Sequence, residues 1–299
     1  MPDVSVVVPT YNRAASIVAS VRSLFLDTDV EVEVLVVDDG STDDTVARLR
    51  ALDDARVRVV ERPHAGIAAT RTAGVQVAAG RYLAFHDSDD QALPGRLRRP
   101  VTLLDSRTDV DFVIQNGRML GAGPSGSDEP WVAPAAAAQL TDEILGVAEV
   151  FRWNLGQLQG ACFRRATLEA VGPLDDSLQI LDDLDLVLRV AVRHRGLFID
   201  EPAFAYRPST DSVSRDRQVI HEEAVRVAEK LVREHPEALA AIGPRTFRRR
   251  QARRYARLAD VSRRRGDAAG ARDAMAMACR LRPFDLRLRL RALRWLVGG

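Results

Sequence analysis

The sequence predicts an α/β protein built on a doubly wound, mostly parallel sheet, with a C-terminal helical extension. Short β-branched runs alternate with stretches of helical spacing as far as Ile114, two acidic clusters follow directly on such runs, and from about Gln218 the pattern is helical to the end. With 46% apolar and 28% charged residues in 299, the composition excludes disorder as the main state.

Val4–Pro9 is an almost unbroken β-branched run, as in a strand covered on both faces. Ile17, Val18, Val21, Leu24 and Phe25 recur at helical spacing after a polar Tyr11-Asn12-Arg13 turn, and Val32–Val37 supplies a second strand, completing one βαβ unit. A helix near Asp44–Leu52, a strand at Val57–Val60, a helix near Ile67–Ala79, a strand at Tyr82–Phe85, a helix near Leu97–Leu104 and a strand at Val110–Ile114 continue the alternation. Right-handed crossovers then place helices on both faces, and ligands bind beyond the carboxyl ends of the strands. Gly121–Pro134, rich in Gly, Ser and Pro, reads as a surface loop, a flexible lid or connector, ahead of the Ala-rich segment Ala135–Leu140. A moderately apolar stretch, Phe151–Phe163, precedes a helix from Arg165, a Gly172-Pro173 turn and a helix through Asp185–Val192. The domain division expected is 1–215 for the sheet domain and 216–299 for a basic helical extension.

Cys162 and Cys279 are too few for a disulfide framework, and five histidines show no paired metal spacing, which points to a reducing compartment and no structural zinc. The amino terminus carries no basic segment leading into an apolar run, and no stretch approaches the ~18 apolar residues of a membrane span, so a cytoplasmic location is expected. The net charge of +1 conceals a split: residues 245–299 hold 17 Arg and 4 Asp, a net +13, leaving −12 on the remainder. A tail of this sign suits an anionic surface.

The acidic clusters stand where such a sheet puts its site. Asp38 and Asp39 follow Val-Leu-Val-Val, so that one carboxylate can face the crevice while Ser41 or Thr42 caps the next helix; the plainer alternative is that both cap. Asp87, Asp89 and Asp90 crowd like charges after a buried strand, a costly arrangement without a cation, and hard oxygen ligands suit Mg²⁺ or Mn²⁺. The third cluster is Asp182-Asp183-Leu-Asp185, alternatively a set of acids favouring a helix amino terminus.

In order along the chain, Val-Val-Val-Pro-Thr-Tyr-Asn-Arg (6 to 13), Val-Val-Asp-Asp-Gly-Ser-Thr-Asp (36 to 43), Gly66–Gly74 with Arg71, His-Asp-Ser-Asp-Asp (86 to 90), Phe163-Arg-Arg and Asp182-Asp183-Leu-Asp185-Leu-Val-Leu-Arg189 resemble the inverting glycosyltransferases of family 2. The resemblance covers roughly residues 3 to 210 and implies the GT-A fold, a Rossmann-like nucleotide-diphospho-sugar domain. It also implies that Pro9, Thr10, Tyr11, Asp39 and Arg71 surround the nucleotide and that Asp87 contacts ribose. Asp89 is its best metal ligand with Asp90 sharing the cation, although Asp-Ser-Asp-Asp leaves two registers open. Asp183 is by the same resemblance the general base, and Asp182, in a place where the family usually has Glu, lies on the acceptor side. Many relatives carry a histidine soon after a Tyr-Arg pair, whereas Tyr206-Arg207-Pro208-Ser209-Thr210 offers none, so water would complete the metal shell.

The chemistry expected is departure of a nucleoside diphosphate, its charge met by a divalent ion and Arg71, with attack by an acceptor hydroxyl that loses its proton to a carboxylate. The acceptor is a saccharide or a lipid-linked hydroxyl, with Trp153–Cys162 and the Gly-Pro loop shaping its side. Gly121-Ala-Gly123-Pro-Ser-Gly126, with Asp142 behind it, spells a dinucleotide fingerprint, but its prolines and serines describe an irregular loop with no helix to present amides to pyrophosphate. In the tail, Phe247, Tyr255, Leu258 and Val261 form a stripe amid arginines, which suits either an anionic membrane at the inner face or packing on the acidic body. Gly266–Pro283 weakly resembles one tetratricopeptide helix pair, and Leu286, Leu288 and Leu290 alternate with Arg, leaving helix and strand both open. The competing class is a degenerate GT-A-like module docking on membrane or nucleic acid through the tail, nucleic acid being the weaker version because no reading motif accompanies the arginines.

Overall fold

The computed structural model describes residues 1–123, 126–141, 143–207 and 216–297, with side chains as far as residue 292. Its elements are β1 (Val4–Thr10), α1 (Ile17–Ser23), β2 (Val32–Asp38), α2 (Thr45–Arg50), β3 (Val57–Glu61), α3 (Ile67–Val77), β4 (Tyr82–Phe85), β5 (Gln91–Ala92), α4 (Arg98–Ser106), β6 (Phe112–Met119), β7 (Glu129–Pro130) and α5 (Pro134–Leu140). There follow β8 (Ile144–Leu145), α6 (Val147–Trp153), β9 (Ala161–Arg164), α7 (Arg165–Val171), α8 (Asp182–Arg193), β10 (Gly196–Tyr206), α9 (Arg217–Glu234), α10 (Pro236–Ile242), α11 (Pro244–Arg264), α12 (Ala268–Leu281) and α13 (Leu286–Val297).

One sheet runs β3-β2-β1-β4-β9-β6-β10-β5, with β7 beside β6 and β8 beside β10. Its first four strands are parallel, and β1 meets β2 in a register from Val4↔Val32 to Thr10↔Asp38. The run of valines in β1 has its reason here. Val6 and Val8 enter one core with Ile17, Val21 and Leu104, while Val7 enters the other with Phe85, Phe112 and Phe163, so both faces of the strand carry valines. Gly74 lets α3 close on β1, since a Cβ there would stand 2.3 Å from Val7 Cγ1.

The sheet is mostly parallel, as expected, and its antiparallel pairs lie in the second half. Strand β9 inserts antiparallel between β4 and β6, so Phe151–Phe163 splits into a helix, a turn and a strand. Strand β10, absent from the sequence reading, is parallel to β6 but shifts register on either side of Pro202, the residue that masks the strand in sequence. Gly121–Pro134 is not all loop: Glu129–Pro130 pairs with Arg118–Met119 as β7. Within the dinucleotide-like segment Gly123 donates its amide to Ser127 O; Pro124, Ser125 and Asp142 lie outside the described residues, as do Pro208, Ser209 and Thr210.

Helices α9 and α10 and Phe247 at the start of α11 pack into the same core as α6 and α8, whereas α11 and α12 share a small cluster of their own around Ala259, Met275 and Ala278. The alternating Leu-Arg segment is helical, as α13.

Candidate active site

Parallel pairing of β1 with β2 brings the ends of both strands to one edge, where the Asp39 amide donates to Thr10 O at 2.9 Å. The adjacent aspartates then divide the work. Asp38 Oδ2 accepts the amides of Gly40 (3.2 Å) and Ser41 (2.9 Å) and closes the turn, in which Gly40 holds φ +79°. Asp39 faces the cleft: its oxygens accept the amides of Ala65 (3.0 Å) and Gly66 (2.9 Å), and His64 Nδ1 lies 2.8 Å from Oδ2. Tyr11 rests on the His64 ring with centroids 4.6 Å apart. This lobe, of about 780 Å³, is walled by Pro9, Thr10, Tyr11, Asp39, His64 and Ile67, and the buried Thr10 hydroxyl has no partner in it. Neither Ser41 nor Thr42 caps α2; Asp43 Oδ1 accepts the Thr45 amide instead.

The acidic lobe lies alongside. After β4 the chain turns at Asp87, whose carbonyl accepts the Asp90 amide at 3.1 Å, and α1 ties the turn down through Ser16 Oγ to Ser88 O and Ser20 Oγ to Asp87 O, both 3.0 Å. Asp182 and Asp183 open α8. Glu223 of α9, 2% exposed, accepts the amides of Gln179 (2.7 Å), Ile180 (3.0 Å) and Leu181 (2.8 Å), fixing the segment that leads into them. From α3, Arg71 donates to Asp87 through Nη2 and to Asp182 through Nη1, each at 2.9 Å. Arg13 Nε lies 3.5 Å from Asp89. The lobe, about 370 Å³, is lined by Arg13, Arg71, Asp87, Asp89, Trp131 and Asp183 among others. Pro9, Arg13, Ile67, Ser88 and Gln179 line both lobes, so the two are compartments of one cleft.

The electrostatics are lopsided. Burial and mutual repulsion hold three carboxyl groups here above their usual range: Asp89 upward by burial and Asp87, Asp90 to about 9 by burial with Asp87 and Asp89, and Asp183 to about 8 by burial and Asp182. Burial raises Asp182 as well, against the pull of Arg71. Arg71 stays charged because Asp182, Asp87 and Asp183 outweigh its own desolvation. Beneath the turn, burial and Arg96 push His86 down to about 4, so its ring is neutral at working pH. Carboxylates that resist ionisation together form a place that gains from added positive charge. Among the described residues no three His, Cys, Asp or Glu side chains are grouped to hold a metal unaided. The donor set therefore fits an ion such as Mg²⁺, which keeps waters and takes one or two carboxylates plus substrate phosphate.

Most residues singled out in the sequence converge here: Pro9, Thr10, Tyr11 and Asp39 in one lobe, Arg71, Asp87, Asp89 and Asp183 in the other. Three stand elsewhere. Trp153 packs on the core at the end of α6, and Trp131 takes the aromatic place in the cleft wall. Asp182 is 0% exposed and serves Arg71, so it has no acceptor-facing surface. Asp90 is 1% exposed, both carboxyl oxygens without partners, beneath the wall to which Asp89 contributes. Arg71 acts first as a brace between two carboxylates. The sequence reading passed over His64, Arg13, Trp131 and Glu223. An arginine in the Tyr-Asn-Arg turn was visible, but nothing local marks a helical glutamate as the clamp of a loop more than 40 residues earlier.

Known proteins resemble this chain in sequence and in fold. Residues 5–129 match the family model described as Glycosyl transferase family 2. The chain is 30% identical to the succinoglycan biosynthesis protein ExoO of Rhizobium meliloti, over 99% of this chain and 88% of that one. Among solved structures, S. aureus TarS 1–349 in complex with UDP-GlcNAc superposes with a TM-score of 0.69 at 18% identity, covering 93% of this chain and 81% of that one. The mannosyltransferase PcManGT from Pyrobaculum calidifontis, in complex with GDP-Man and Mn²⁺, gives 0.60 at 18% identity, covering 99% and 84%. At such identity the two structures show a shared fold.

Proposed function

The chain belongs to glycosyl transferase family 2 and is a glycosyltransferase of GT-A fold; on that premise we propose that it moves a sugar from a nucleotide-diphosphate donor to a saccharide or lipid-linked hydroxyl with inversion. The observation that carries the reading is the continuous cleft, with a hydrogen-bonding and stacking lobe at Asp39 and Tyr11 and an acidic lobe ending at Asp183.

In this reading the base stacks at Tyr11 and hydrogen-bonds Asp39, whose backbone partners fix its oxygens while lone pairs remain for the ligand. Asp87 turns toward ribose. Asp89, with Asp90 behind it, and the diphosphate would hold Mg²⁺ or Mn²⁺, which when bound supplies charge stabilisation to the departing diphosphate. Arg71 keeps Asp87 and Asp182 in place and adds a permanent positive charge below the same point. Asp183 accepts the proton of the attacking hydroxyl; its carboxyl, raised toward neutrality, has the basicity such a step needs. Similarity to a succinoglycan biosynthesis protein supports a saccharide acceptor in polysaccharide assembly.

No helix among the described residues is long and apolar enough to cross a membrane. Phe284, Leu286 and Leu290 are 91%, 71% and 58% exposed among arginines, which supports a peripheral contact of residues 245–299 with the inner face of the cytoplasmic membrane.

The test is a panel of nucleotide sugars with Mn²⁺, reading nucleoside diphosphate release and the anomeric configuration of the product. An inverted linkage, lost in Asp183→Asn, is expected. A retained linkage, or release unaffected by Asp183→Asn, overturns the mechanism.

A further inference from the structure

Arginine is tolerated in a protein interior when a carboxylate or carbonyl meets it, as Arg71, Arg96 and Arg189 are met here. Helix α11 breaks that pattern. Arg254 is 8% exposed, its guanidinium 4.5 Å from the centre of the Phe151 ring of α6, and Arg250 stands over the same ring at 5.8 Å. Arg254 Nη1 and Arg250 Nε are buried without a hydrogen-bond partner. The charges that act on them are other arginines. Burial and then Arg250 and Arg257 pull Arg254 down to about 9, and burial with Arg253, Arg257, Arg249 and Arg152 lowers Arg250. Mutually repelling cations above an aromatic floor, Arg254 among them recessed, favour an anion between them.

We propose that Arg250 and Arg254, with Arg152 beside them, form a binding site for the phosphate or diphosphate group of a lipid-linked acceptor. The assignment of an acceptor rests on the glycosyltransferase reading; the anion site rests on the arginines alone. Two observations favour an acceptor phosphate over a bilayer headgroup. Arg254 is recessed, so a single inserted group reaches it better than a flat lipid surface does. Helix α6 also ends two residues beyond Phe151, at Trp153, and its left-handed cap Asn154 with Gly156 and Gln157 after it line the cleft that Asp183 borders. An acceptor held by its phosphate at α11 thus extends its sugar along α6 toward the base.

The experiment titrates the full chain with geranyl diphosphate in EDTA, which suppresses metal-dependent binding at the donor site. Wild type, Arg250→Gln/Arg254→Gln and a charge-matched control, Arg248→Gln/Arg280→Gln, are compared. The site variant should bind at least about tenfold more weakly, the loss of one charge-assisted contact, while the control and donor hydrolysis stay as in wild type. Without ligand, Arg254→Met should melt no lower than wild type, because it removes an uncompensated buried charge; this separates a ligand site from a structural role. Unchanged binding by the site variant, or a marked loss of stability in Arg254→Met, overturns the proposal. So does flotation on vesicles containing phosphatidylglycerol that fails in the site variant while its geranyl diphosphate binding persists, which would make these arginines headgroup contacts. Absence of donor hydrolysis in wild type would instead count against the enzymatic reading and leave the anion measurement to be judged by itself.

Discussion

Removing the Glu223 carboxylate tests whether the C-terminal helices belong to the catalytic apparatus. In Glu223→Ala the amides of Gln179, Ile180 and Leu181 lose an acceptor now held at 2.7, 3.0 and 2.8 Å. Each bond to a charged group is nominally worth about 1.5–3 kcal/mol, but Gln179 and Ile180 line the cleft, where water can replace the carboxylate. A destabilisation of roughly 2–3 kcal/mol follows, within the range of single substitutions that break a buried network. The effect on rate should be larger than the effect on binding. Asp183 sits two residues beyond Leu181, and a misplacement on the order of 1 Å at a reacting group costs about 10²-fold. Steady-state kinetics below the melting temperature should therefore show kcat falling by about 10- to 10²-fold with donor KM nearly constant, since Asp39 and Tyr11 are held by other elements. Glu223→Gln, which keeps one acceptor oxygen, should be intermediate. A folded Glu223→Ala with wild-type kcat, or one whose whole defect is a raised donor KM, refutes the positioning argument.

Asp39→Ala should weaken nucleoside diphosphate binding by about 10- to 10²-fold by calorimetry, because it removes a ligand contact and strands the Ala65 and Gly66 amides. The rate should rise with pH as Asp183 ionises, with an apparent pKa at or below about 8 in the presence of a divalent cation, and Asp183→Asn should lose about 10²–10⁴-fold and the pH dependence with it. In EDTA the folded state holds more protons than the unfolded state, since Asp90 and Asp183 titrate above their unfolded values near ~4. Stability should accordingly fall as pH rises from about 5 toward 9, Asp90→Asn should flatten that slope, and Mg²⁺ should offset it; a melting temperature rising over this interval in EDTA contradicts the charge assignment.

The parallel half of the sheet was legible because both faces of β1 and β2 are buried, so burial wrote continuous valine runs into the sequence, and strand ends were marked by the aspartates that follow them. Asp39, Asp87 and Asp89 were found in that way, whereas Asp183, which opens α8, came from the family resemblance. Strand β10 was not legible, because Asp200, Glu201 and Pro202 interrupt its pattern where the register shifts. Likewise a four-residue strand such as β9 carries no periodicity apart from the helix before it.

What the sequence by itself determined is the local chemistry: which residues are acidic, that two of their clusters end buried strands, and that the tail is cationic. Only the tertiary structure decided the partners. Identical side chains received opposite roles by what surrounds them: Asp38 closes a turn and Asp39 faces the cleft, Asp182 braces Arg71 and Asp183 borders the cavity, Trp153 packs against the core while Trp131 lines the cleft. Burial and charge depend on atoms brought together from 40 to more than 100 residues apart, as Glu223 and Arg71 show, and no pattern along the chain encodes those distances.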